Sequence, residues 1–162
     1  MQLYMKQKVF SLRTRFDIFD AAEMPVYHVE GEFSFGTRLH IADSHGNELA
    51  MIRQKLWTFR PRYELEVFGQ PPAMLVQYFA LFKTRFEIEG WGWSAEGNFT
   101  GHEFVIADEE GPLMTVSKEW FTWGDSYVLD IADRVDPVGC VCAMLAIDMV
   151  IAAANRSSAA SH

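Results

Sequence analysis

Cations recur beside aromatic residues at a fixed spacing in this chain. "RTRFDI" from Arg13, "RPRYEL" from Arg60 and "KTRFEI" from Lys83 each set two basic residues two apart, then an aromatic, an acid and an aliphatic residue. "GTRLHI" from Gly36 carries one cation, Arg38. Guanidinium groups hold phosphate or carboxylate through forked N–H donors. Arg13, Arg15, Arg38, Arg60, Arg62, Lys83 and Arg85 are therefore candidate ligands for an anion or a phosphorylated headgroup. Phe35, Trp57, Phe59 and Trp123 lie close to the same positions and are side chains suited to a lipid interface. The alternative is a solvated surface, because Arg15, Arg62 and Arg85 each have an acid two residues on.

Other chemistry finds no support. The histidines, His28, His40, His45, His102 and His162, make no HxxxH pair and have no cysteine partners at zinc spacing. His28 and His40 could face each other across a hairpin, but surface or packing roles suit them better than a metal. Cys140 and Cys142 sit in an apolar run and read as small buried residues. No GxSxG elbow is present, and Asp108-Glu109-Glu110 reads as a solvated turn. "GWGWSAEG" from Gly90 has glycines at the wrong spacing for a phosphate loop. A non-enzymatic protein without metal or cofactor is expected. The net charge of -8 argues against nucleic acid as a partner. The first residues carry no apolar run of the signal-peptide kind, and with only two cysteines a cytoplasmic protein, peripheral at a membrane if it binds lipid, is expected.

The cations belong to a repeat. "MKQKVFSLRTRFDIFD" from Met5, "IRQKLWTFRPRYELEV" from Ile52, "LVQYFALFKTRFEIEG" from Leu75 and "VSKEWFTWGDSYVLDI" from Val116 align without gaps. "VEGEFSFGTRLHI" from Val29 fits the second half, and "AEGNFTGHEFVI" from Ala95 fits with one residue missing. The second half of each unit alternates apolar and polar residues with period two, as a half-buried antiparallel strand does. Each unit is two strands and a tight turn, so six units predict about twelve strands. Turns inside units then gather at one end with the cations. Turns between units gather at the other, with Asp20, Glu23, Asp43, Glu48, Asp108, Glu109, Glu110, Asp133 and Asp136.

One segment breaks the pattern. Residues 138–154 carry a single charge, Asp148. Asp136 is placed to cap a helix that starts at Pro137. About 17 helical residues span roughly 25 Å, short of a bilayer's roughly 30 Å of hydrocarbon, and a central Asp cancels most of the gain from insertion. A helix apolar all round must otherwise be buried all round. A barrel of twelve strands is too wide to be filled by its own side chains, so a central helix satisfies both. Asp148 is expected either to meet an internal belt of Gln7, Gln54, Gln77 and Lys118 or to lie in water near the helix exit.

The repeated "KQKVFSLRTRFDI", "RQKLWTFRPRYEL" and "SKEWFTWGDSYVLDI", followed by the "AIDMVIAA" helix, resemble the LURP-one-related family of the tubby C-terminal-like superfamily, over about residues 2–154. The resemblance implies a twelve-stranded antiparallel barrel closed around a C-terminal apolar helix. It implies function weakly, because family members mostly lack a defined activity. Tubby-type relatives bind phosphoinositide headgroups, and the phospholipid scramblases share the fold. Their palmitoylated cysteine cluster and Pro-rich N-terminal segment have no match here. The expectation is one domain over residues 1–154, with the helix at about 137–154 and a disordered tail at 155–162, and a monomer. The expected function is binding of anionic phospholipid or phosphoinositide headgroups. The alternative is a structural or protein-interaction barrel with a protein partner and no small ligand; a scramblase-like membrane protein is the third possibility.

Overall fold

The alternating segments form strands because each has one apolar face to bury. In a computed structural model that describes residues 1–6, 15–32, 36–121 and 124–160, twelve strands precede one helix. They are β1 (Gln2–Lys6), β2 (Arg15–Phe19), β3 (Pro25–Glu32), β4 (Arg38–Asp43), β5 (Glu48–Lys55) and β6 (Arg62–Val67). They continue as β7 (Ala73–Ala80), β8 (Lys83–Glu89), β9 (Trp93–Asn98), β10 (Glu103–Asp108), β11 (Gly111–Phe121) and β12 (Gly124–Ile131), before α1 (Pro137–Ala160). In β6, Tyr63, Leu65 and Val67 are buried while Arg62 is exposed. Every strand pairs antiparallel with its sequence neighbours, and β1 with β12, so the meander closes into a barrel. β1 pairs along its whole length with β12, from Gln2 opposite Asp130 to Lys6 opposite Ser126, and among the described residues it pairs with β2 at Tyr4 opposite Phe19. At Gly97, φ +140°, the backbone of β10 leaves no room for a side chain: a Cβ there would lie 2.7 Å from both the Glu103 carbonyl and the Phe104 Cα.

The inner faces of the strands form one core with the helix. Residues 140–147 of α1 have no exposed surface. Eight consecutive residues cover more than two turns, so the helix is enclosed from every side rather than laid against the wall. Its length and composition would suffice to cross a membrane; here the barrel interior takes that role. Asp136 caps it, accepting a hydrogen bond from the Val138 amide at 3.0 Å. The Gln70 amide, from the β6–β7 turn, donates to the same carboxylate at 3.0 Å and pins the entry point. The helix runs to Ala160, beyond the expected end at 154 and into the stretch expected to be disordered. Its buried turns supply the nucleus, after which each added residue gains one hydrogen bond. In the exposed part the Ser157 hydroxyl also donates to the Ala153 carbonyl, at 3.1 Å.

The ends of the barrel differ in charge. At the helix entry, Asp20 and Asp43 close their turns by accepting from backbone amides. Arg134 forks onto Asp108 at 2.7 and 2.9 Å and holds its carboxyl down at about 2, from an ordinary 3.8. A carboxyl lowered on folding contributes stability that is fully present above its unfolded value and is lost as pH falls through the folded value. The Asp108 carboxyl carbon should therefore titrate near pH 2 by NMR in the native protein, and move back towards 3.8 in Arg134→Gln.

Burial raises the thiol of Cys140 to about 12 and raises that of Cys142 as well. Both are free. Thiolate-directed reagents at pH 8 should leave the native protein unmodified and label both cysteines in denaturant. Labelling of the native state at a rate near that of the unfolded chain would mean that the helix is not held inside the barrel.

Candidate functional site

The turns within hairpin units gather at the helix-exit end, because the meander alternates strand direction without a crossover. Arg38, Arg62 and Arg85 point outward near that rim, each exposed beside a buried neighbour in its strand, and Arg15 is exposed at the start of β2. Arg60 lies in the β5–β6 loop and Lys83 begins β8. Six of the seven predicted ligands are thus brought to one end, and Arg13 lies outside the described residues. They do not make an even ring. The Arg15 guanidinium is taken by Glu30, with Nη2 2.7 Å from Oε1, and Arg85 sits between Glu87 and Glu96 at 3.5 and 3.4 Å. Arg38 stands between Glu32 on β3 and Arg53 on β5. Arg38, Arg60, Arg62 and Lys83 form no ion pair among the described residues.

The unpaired cations concentrate on the β5–β8 side. Arg62 lies directly opposite Lys55, a like-charge pairing that works against sheet stability. Lys55 turns to Glu64 at 3.0 Å and leaves Arg62 without an acid. A shallow cleft of about 340 Å³ is lined by Thr58, Phe59, Arg60, Arg62, Val76 and Tyr78. The loop that builds it is held locally. The Thr58 hydroxyl lies 2.7 Å from the Arg60 carbonyl, to which it donates, and Pro61 disfavours helical backbone at Arg60. The Arg60 guanidinium lies over the Tyr78 ring at 5.7 Å. The Tyr78 hydroxyl donates to Glu89 at 2.8 Å, which fixes the ring and raises the pKa of the phenol. Two guanidinium groups with free forks beside an aromatic wall can accept a phosphate or carboxylate.

Large apolar side chains share this end. Trp57 and Phe59 are fully exposed, as foreseen, while Phe35 and Trp123 lie outside the described residues. The sequence reading missed Phe79, Leu81, Phe82 and Trp120, all exposed at the tips of β7–β8 and β11–β12.

Asp148 is also settled at this end, near the helix exit as one expectation had it, but buried and bonded to a partner outside the expected belt. It is buried, and its Oδ1 lies 2.6 Å from Nε2 of His102. Gln54 instead uses its side-chain oxygen to accept from the Thr37 amide, and Gln7 lies outside the described residues. His102, in the β9–β10 turn, stacks on Tyr127 with centroids 4.1 Å apart. It fastens that turn to the helix just before the helix emerges. His28 and His40 do not face each other: they sit opposite Ala42 and Glu30, and bond Asp17 and Glu48. No group of three potential metal ligands occurs among the described residues.

The LURP-one-related family model matches residues 1–148. The chain belongs to the LURP-one-related family. Among curated proteins, the uncharacterized protein YxjI of Bacillus subtilis (strain 168) is 39% identical over 152 residues, covering 93% of this chain and 94% of that one. No solved structure matches the chain. Family membership accounts for the barrel; within this LURP-one-related barrel, the His102–Asp148 pair locks wall to helix. Asp148→Ala leaves a buried ring nitrogen without its partner and should lower unfolding free energy by about 1–3 kcal/mol, measured by urea denaturation. A loss within error would mean that the pair does not anchor the helix.

Proposed function

We propose that this protein is a non-enzymatic module that docks on membranes by binding anionic phospholipid headgroups at the helix-exit end of its barrel. The observation that carries the proposal is the set of Arg60, Arg62 and Lys83. They have no ion pair among the described residues although the chain is acidic overall. A protein with a net charge of -8 has enough carboxylates to neutralise them and does neutralise Arg15, Arg85 and Arg134. Arg60 and Arg62 line one cleft, and Lys83 begins β8 next to the exposed Leu81 and Phe82. Forked guanidinium donors suit phosphate oxygens, and aromatic residues suit the headgroup level of a bilayer.

Flotation with neutral and anionic liposomes, at low and high salt, tests this. The protein should float with anionic vesicles at low salt and much less at high salt. Replacing Arg60, Arg62 and Lys83 together by Gln should weaken binding roughly a hundredfold, at about a fivefold loss per charge. Arg85→Gln should change little, because Glu87 and Glu96 already engage Arg85. Absence of flotation under every condition would sink the proposal and direct the search to protein partners.

A further inference from the structure

The hairpin between β7 and β8 is built against its own backbone preference. Ala80 pairs with Lys83, so the connection is a two-residue turn of Leu81 and Phe82. Both have positive φ, 45° and 70°. A two-residue turn with both residues left-handed favours Asn-Gly, which tolerates that region; bulky residues there are strained. The neighbouring β5–β6 hairpin repeats the feature at Trp57, with φ 63°. These three strained residues are at least 93% exposed. Apolar burial within the fold therefore does not account for them. Phe59 and Phe79 extend the same apolar surface across the two adjacent tips.

We infer that the tips of the β5–β6 and β7–β8 hairpins form a wedge that enters the bilayer, a proposal that rests on the headgroup reading above and adds apolar insertion to it. The surroundings of the tips point to a membrane as the occupant. Arg60, Arg62 and Lys83 border them and match an anionic surface in charge. The tips project as turns, with the cations at their base, so apolar groups would reach below headgroups that the cations hold. Aromatic and aliphatic side chains gain from that depth while Arg and Lys stay with the phosphates.

Two variants test the wedge. Leu81→Asn/Phe82→Gly gives the turn the residues its backbone favours, so its stability to urea should be equal to or above that of the native protein. Its affinity for vesicles of mixed neutral and anionic lipid should nevertheless fall, by roughly tenfold or more. Because the native thiols are buried, Phe82→Cys can be labelled selectively with a polarity-sensitive fluorophore. Phe68→Cys, exposed at the opposite end of the barrel, serves as control. On anionic vesicles the label at position 82 should shift to the blue and be quenched by acyl-chain quenchers, while that at position 68 should not change. Vesicle binding with both labels still in water would overturn the wedge and leave the headgroup reading standing. So would undiminished binding by the stable double variant, which would assign the tips to a protein surface. No binding by the native chain overturns both proposals.

Discussion

An uncharged helical surface has to be kept from water on all sides, and that requirement organises the molecule. Cys140, Val141, Cys142, Ala143, Met144, Leu145, Ala146 and Ile147 are fully buried, so no face of this part of the helix is left for solvent. Twelve strands, each with one apolar face, have the complementary need. A barrel of this strand number is too wide for its own side chains to fill. The small residues of the helix let it sit inside, and longer residues such as Phe86, Leu65 and Ile106 reach inward to meet it. Wall and helix therefore depend on each other for burial, and neither would keep its apolar surface dry alone.

The same enclosure makes a polar residue on the buried helix costly unless it has a partner. Asp136 is exposed at the helix entry, where it accepts from the helix amide it caps and from Gln70. Asp148 is satisfied by His102, whose own position is set by stacking on Tyr127 and by a left-handed backbone at φ 54°. These two carboxylates mark the entry and the exit of the buried stretch. Beyond Asp148 the helix continues with Ala, Asn and Ser into solvent.

The barrel was legible because the repeat states both the phase and the length of each hairpin. "RYEL" and "RFEI" show which residues face in, and gapless spacing shows where strands turn. Gathering of the cations at one end follows from the meander alone. What remained hidden depends on contacts between distant residues. Nothing in the spacing of His102 and Asp148, 46 residues apart, marks them as partners. Whether a given Arg is free or neutralised depends on cross-strand register: Arg85 faces Glu96, whereas Arg62 faces Lys55. The Leu81-Phe82 turn contains no turn-forming residue, so local propensity does not reveal it; only the pairing of Ala80 with Lys83 does. The helix end was misplaced because an Asn-Arg-Ser-Ser sequence resembles a tail when its attachment to a buried, already nucleated helix is left out.

An acidic protein would be repelled by an anionic surface if its charge were spread evenly. Here the separation of the two ends is long compared with the reach of charge in salt water. From Pro137 at the entry to Ile151, where exposure begins, the helix rises about 21 Å. The Debye length at physiological ionic strength is about 8 Å. Carboxylates such as Asp20, Asp43, Asp108 and Asp133 are thus more than two screening lengths from a surface that touches the opposite tips. In the proposed docking their repulsion would be largely quenched, while Arg60, Arg62 and Lys83 would act at contact. The unfavourable net charge would then favour one orientation, with the basic hairpins towards the membrane and the acidic turns away. The barrel supplies that orientation because an antiparallel meander cannot mix its two sets of turns.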